Sequence, residues 1–215
     1  MKYTTYLFDF DGTLVDSMPV FKNVCFRILE ENGVNFSDEV INVITTKGYP
    51  EVAKYFAEEL IFTMTADEIY KLMREYILHE YETAVLPKNN VIGTLEHLKN
   101  SGIDLNILTA SRGIWVHGCM KRLGITGLFS NIWTREDVET NKYDPLTYVA
   151  AAEKLGKSPT EILFFDDNLK NLQTALSVGM NVCGVYDPHS EPQTEEIKKI
   201  SDFYINDFSE IFALN

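Results

Sequence analysis

The sequence predicts an α/β protein, a doubly wound parallel sheet with a block of helices inserted just after its first strand. Three observations carry this. Near-continuous apolar runs alternate with helical patterns after residue 87, the texture of a parallel sheet covered on both faces. Residues 18–84 show helical spacing and no convincing strand. The polar residues with chemical potential stand directly after the apolar runs, where open parallel sheets hold their ligands.

The first run, Tyr6-Leu7-Phe8, ends in Asp9-Phe10-Asp11-Gly12-Thr13. Alternate strand residues face the same way, so Asp9 and Asp11 are expected to present two carboxylates on one side, with Gly12 turning the backbone beyond them. Two converging acids suit magnesium, and one can attack an electrophile while the other moves a proton. A hairpin competes with this reading, because Asp-Gly is also a strong turn signal.

The helical block comes next. Val20, Val24, Ile28 and Leu29 recur at helical spacing, then Val52, Tyr55, Phe56 and Leu60, then Ile69, Leu72, Met73, Tyr76 and Ile77. Twelve acids against six bases between Met18 and Ala84 mark solvated outer faces. Beyond Leu86-Pro87, helices are expected at Val91–Lys99, Ile114–Leu123, Pro145–Leu155 and Leu169–Val178, with Gly102, Gly124, Gly156 and Gly179 near their ends. Strands are expected at Asp104–Leu108, Asn131–Thr134, Glu161–Phe165 and Asn181–Val185. A last edge strand at Phe203–Ile205 and a helix at Glu210–Leu214 close the chain. The expected domains are residues 1–17 with 85–215, and residues 18–84.

A chain of 215 residues can bury a substantial core. Its formal charge of −13 disfavours nucleic acid and anionic membrane surfaces, so an anionic substrate needs a local cation or a metal ion. Cys25, Cys119 and Cys183 form no Cys-x-x-Cys pair and suit a reducing compartment. No apolar stretch approaches the ~20 residues that span a bilayer, and because Met1-Lys2 leads straight into the Asp9 motif no signal peptide is expected. A cytoplasmic monomer is expected.

Three further strand ends or connections carry chemistry. Leu105–Leu108 opens into Thr109-Ala110-Ser111-Arg112-Gly113, whose hydroxyls and backbone N–H groups suit an anionic oxygen. Ile162–Phe165 ends in Asp166-Asp167-Asn168, and Lys142 stands just before the Pro145 helix. Each has a plainer alternative: Thr109 and Ser111 as helix caps, Asp166-Asp167 as the cap of the next helix, Lys142 as a solvated lysine. Their coincidence at one topological place favours a site.

In order, these residues resemble the haloacid dehalogenase-like (HAD) superfamily, its phosphatase and phosphoglucomutase-like branch. Asp9-x-Asp11-Gly12-Thr13 is similar to the family's first motif, Thr109 to its second, Lys142 to its third and Asp166-Asp167 to its fourth. Lys142-Tyr143-Asp144-Pro145-x-x-Tyr148 resembles Lys-Pro-x-Pro-x-x-Tyr with the first proline replaced. The resemblance covers the whole chain and implies a Rossmann-like core with a small helical cap at 18–84. It also implies a Mg²⁺-dependent phosphatase acting on a small phosphorylated metabolite. Asp9 would be the nucleophile that becomes an aspartyl-phosphate, and Asp11 the acid and base. Thr109, Ala110, Ser111 and Lys142 would bind the phosphoryl group. Asp9, the Asp11 carbonyl and Asp167 would hold Mg²⁺, with Asp166 supporting it. Many relatives have Asp where this chain has Asn171, which leaves the order of Asp166 and Asp167 open.

A sugar phosphomutase is the alternative. Lys47, in Thr46-Lys47-Gly48-Tyr49, sits where such relatives place a specificity loop. Dehalogenation is disfavoured by the acid at Asp11, and a non-catalytic role by the retention of Asp9, Asp11, Thr109, Lys142 and Asp167 together. His79, His97, His117 and His189 are scattered without a metal-ligand pattern, and Trp115 and Trp133 read as core.

Overall fold

A computed structural model describes residues 3–61, 63–138 and 140–214. The chain divides into two compact units, residues 1–17 with 86–215, and residues 18–85.

The larger unit holds a six-stranded, wholly parallel sheet ordered β3-β2-β1-β4-β5-β6. Its strands are β1 (Thr5–Phe8), β2 (Asp104–Leu108), β3 (Asn131–Trp133), β4 (Ile162–Asp166), β5 (Asn181–Val185) and β6 (Phe203–Ile205). β1 lies between β2 and β4, so every residue of this four-residue strand is buried. Parallel strands need crossovers, and helices supply them. In this unit they are α5 (Val91–Asn100), α6 (Gly113–Leu123), α7 (Pro145–Leu155), α8 (Leu169–Ser177) and α9 (Thr194–Ile200). Strand alternation splits the core. Leu7 joins Leu108, Phe164, Tyr148 and Leu172 in one cluster. Phe8 stacks on Phe165 with centroids 4.6 Å apart, and meets Phe208 at 6.2 Å.

The smaller unit contains α1 (Met18–Glu31), α2 (Asp38–Thr46), α3 (Tyr49–Tyr55) and α4 (Ala66–Thr83), with a π-helical turn at Phe56–Leu60 between the last two. Val24, Ile28, Val52, Phe56, Ile69, Met73 and Ile77 form its buried stripe. Thr65 and Glu68 make a reciprocal capping box that starts α4.

Three elements differ from the sequence expectations. The closing helix is a 3₁₀ turn over Phe208–Ala213, tied by the Asp207 side chain accepting from the Ser209 N–H, so Glu210–Leu214 is not an α-helix. Glu161 ends a 3₁₀ turn begun by Pro159, and its strand starts at Ile162. α9 has no counterpart among the expected helices, although Glu195 and Glu196 in its first turn and Lys198 and Lys199 in its last match the helix dipole. No helix of the described residues is long and apolar enough to cross a membrane.

Candidate active site

Asp9 stands one residue past β1, and its N–H prolongs the ladder by donating to the Phe165 carbonyl at 2.8 Å. β4, paired with β1, ends in Asp166, and Asp167 is the next residue. Carboxylate oxygens of Asp9, Asp166 and Asp167 lie within 4.8 Å of one another, and all three residues are buried. Lys142, in the connection between β3 and α7, brings Nζ to 2.9 Å from Asp9 Oδ1 and 2.5 Å from Asp166 Oδ2. It is 4 % exposed, which excludes the solvated-lysine alternative. The Tyr148 hydroxyl fixes the backbone behind it by donating to the Lys142 carbonyl at 3.1 Å.

The carboxylate of Asp11 has partners of its own. β1 stops at Phe8, so the alternation expected to put Asp9 and Asp11 on one side does not reach Asp11. Asp11 Oδ1 accepts from the Ser17 hydroxyl at 2.6 Å, and Oδ2 accepts from the Ser111 hydroxyl at 2.5 Å and from Thr109 at 3.5 Å. Its side chain is therefore outside the cluster of three acids. Thr109 and Ser111 are not the caps of α6; Glu136 takes the Gly113 N–H at 2.9 Å instead. The Ser111 N–H donates to Thr109 Oγ1 at 3.1 Å, so neither of these N–H groups is open to an anion here. Ala110 is exposed beside them.

Gly12 makes this geometry possible. Its φ of +74° is left-handed, and a Cβ there would lie 2.6 Å from Asp167 Oδ2 and 2.8 Å from Asp167 Cγ. Any side chain would push into the cluster. The next residue, Thr13, donates from its hydroxyl to Asp167 Oδ1 at 2.9 Å.

Three buried carboxylates face one ammonium, an oxygen-rich, charge-deficient donor set that fits a hard dication such as Mg²⁺. The electrostatics agree. Burial pushes Asp9 up to about 7, against the pull of Lys142 and with the charges of Asp166 and Asp11 adding to it. Burial, then the charges of Asp166 and Asp9, hold Asp167 well above the usual carboxylate range. Burial opposes the charge on Lys142, but Asp166 and Asp9 outweigh it and hold the ammonium above its ordinary value.

The two neighbouring acids are not equivalent. Asp166 accepts from Lys142, from the Asn168 N–H at 2.7 Å and from the Asn171 amide at 3.2 and 3.0 Å. Asp167 accepts from Thr13 alone among the described residues. The cap of α8 is Asn168, whose side chain accepts from the Lys170 and Asn171 N–H groups, so Asp166-Asp167 is not the cap. Lys47 belongs to the helical unit, where it is exposed at the C-cap of α2.

The sequence pattern assigns nothing to Ser17, and no spacing rule links it to Asp11. Asn168 is legible as a helix cap, since Asn before a periodic run is a start signal.

The chain matches the family model of haloacid dehalogenase-like hydrolases over residues 6–185. It is 29 % identical over 215 residues to pyrophosphatase PpaX of Oceanobacillus iheyensis, covering 100 % of this chain and 97 % of that one. With hexitol phosphatase A of Escherichia coli it shares 26 % identity over 197 residues, 92 % of this chain and 89 % of the relative. Among solved structures, a candidate beta-phosphoglucomutase from Thermotoga maritima superposes with a TM-score of 0.83 at 20 % identity, covering 98 % of this chain and 97 % of the other.

Proposed function

The chain belongs to the haloacid dehalogenase-like hydrolase family and is a phosphoric monoester hydrolase, and we propose that it is a Mg²⁺-dependent phosphatase that works through an aspartyl-phosphate on Asp9. The observation that carries this reading is the pairing of Asp9 with Lys142 at 2.9 Å inside the buried cluster, while Asp11 is hydrogen-bonded by Ser17 and Ser111 instead. Two acids in different surroundings can divide the work of nucleophile and proton carrier.

In the first half-reaction an Asp9 oxygen bonds to phosphorus as the ester P–O bond breaks, and Asp11 gives its proton to the leaving oxygen. In the second, Asp11 takes a proton from water, the water oxygen bonds to phosphorus, and the bond to Asp9 breaks to release phosphate. Lys142, Thr109 and Ser111 hold the phosphoryl oxygens by charge and hydrogen bonds. Asp9, Asp167 and the Asp11 carbonyl are the residues to hold Mg²⁺, and Asp166 orients Lys142 and its neighbours. Bound there, Mg²⁺ supplies charge neutralisation for the carboxylates and the transferring group.

The helical unit is the substrate-selecting cap in this reading, with Lys47 its candidate contact to the non-reacting end. Three buried free thiols suit a cytoplasmic setting. The relatives favour hydrolysis over isomerisation, and they make pyrophosphate a substrate to include in any panel. The test is a panel of phosphorylated metabolites and pyrophosphate with Mg²⁺, measuring released phosphate and isomerised product together. Phosphate release from one or a few small monoesters is expected. Isomer formed faster than phosphate would make the protein a mutase.

A further inference from the structure

We propose that Lys88 is a positioning residue that clamps the Gly12 turn, and so sets where Asp9 and Asp11 stand, a role that rests on the phosphatase reading above. Lys88 lies far from the four motifs in sequence, in the segment Leu86-Pro87-Lys88 that returns the chain to the sheet unit. Its Nζ donates to the Gly12 carbonyl at 2.6 Å, the Tyr186 carbonyl at 2.5 Å and Asp187 Oδ2 at 2.9 Å. An ammonium has three protons, and all three are used.

The clamp is rigid at each foot. The Lys88 N–H donates to the Leu14 carbonyl at 3.0 Å, and Val15 bridges antiparallel to Pro87. Asp187 lies just past the end of β5, with Oδ1 accepting from the His189 N–H at 2.8 Å, and the Tyr186 N–H donates to the Ile205 carbonyl at 2.9 Å. The Lys88 side chain is 15 % exposed and that of Asp187 1 %. A lysine gives up hydration for such a place only where its charge and donors are met.

The foot on Gly12 has the chemical consequence. Gly12 sits so close to Asp167 that a Cβ would overlap its carboxylate, and it joins Asp11 to Thr13, which holds Asp167. A shift of this peptide moves Asp11 and Asp167 together. The competing role for Lys88 is simple counter-ion to the buried Asp187.

Lys88→Met, Asp187→Asn and the double variant separate the two, assayed on p-nitrophenyl phosphate with a Mg²⁺ titration and thermal melts. Asp187→Asn keeps both carbonyl contacts and is expected to retain kcat within about twofold. The double variant leaves no orphaned carboxylate, yet is expected to lose kcat by roughly 10- to 100-fold with KM changed little, because ångström misplacement costs that much. Its half-activating Mg²⁺ concentration rises as well. Wild-type kcat and Mg²⁺ dependence in the double variant would overturn the inference and leave Lys88 a counter-ion. Should the double variant not fold, Lys88→Arg decides: the charge stays but the ammonium's three-way contact geometry is lost, so kcat must fall in the folded protein, and an unimpaired enzyme overturns the clamp. An inactive wild type ends the phosphatase reading and this inference together, whereas an active wild type with an unimpaired double variant ends only this one.

Discussion

The side-chain amide of Asn171 donates to both oxygens of Asp166, at 3.2 and 3.0 Å. With Lys142 and the Asn168 N–H also on it, Asp166 is fully engaged by protein, while Asp167 has only Thr13 among the described residues. Asp167→Asn is therefore expected to raise the Mg²⁺ needed for half-maximal activity by about tenfold or more, with little change in melting temperature. Asp166→Asn should instead lower the melting temperature, because Lys142 loses its nearer partner inside the core. If Asp166→Asn moves the Mg²⁺ requirement more than Asp167→Asn, the direct ligand has been assigned to the wrong acid.

Asp9→Asn should reduce turnover by at least roughly 10³-fold, since an amide is a poor nucleophile of nearly the same shape. Circular dichroism and a thermal melt check that the fold persists. Near-wild-type phosphate release by this variant would rule out a covalent intermediate on Asp9.

The same substitution reads out the electrostatics of the metal-free protein. Asp9 titrates near its ordinary 3.8 when unfolded and is raised to about 7 when folded. Between those values the folded state keeps a proton the unfolded chain has lost, so this group's contribution to stability falls as pH rises. In excess chelator, Asp9→Asn should melt above wild type near pH 8, with the gap closing towards pH 5. A gap that does not change with pH would show that Asp9 is not raised.

Asp11→Asn removes proton transfer but not the nucleophile. Alkyl phosphates should lose most of their turnover, whereas the first half-reaction of activated aryl phosphates should survive better, because their leaving groups need less acid help. Burst kinetics with p-nitrophenyl phosphate would reveal it. Equal losses for both substrate types would contradict the assignment of Asp11 as acid.

Burial pushes Cys25 up to about 12 and Cys119 up to about 11, and holds Cys183 well above its ordinary value. All three are free and buried. A thiol-specific disulfide reagent at pH 8 should label none of them in the native protein within minutes, and all three in guanidinium. Rapid native labelling of any one would locate a segment that opens readily.

The sheet class is legible in the residues, because a buried parallel strand must be apolar throughout and a helix must come after it, and both leave periods along the chain. Asp9, Thr109, Asp166 and Asp167 are legible as candidates because a parallel sheet gathers at one edge the residues at the carboxyl ends of its strands, whereas Lys142 is marked only by its place before the Pro145 helix. The rest required the folded chain. Past the end of β1 the Asp11 carboxylate takes Ser17 and Ser111 as its partners, which no alternation rule foretells. Asn171 saturates Asp166 and leaves Asp167 the less engaged acid. Lys88 reaches across to Gly12 and Asp187 over 76 and 99 residues of chain. Local pattern records burial and period, whereas a hydrogen bond between distant residues depends on side-chain direction, and that exists only once the chain has folded.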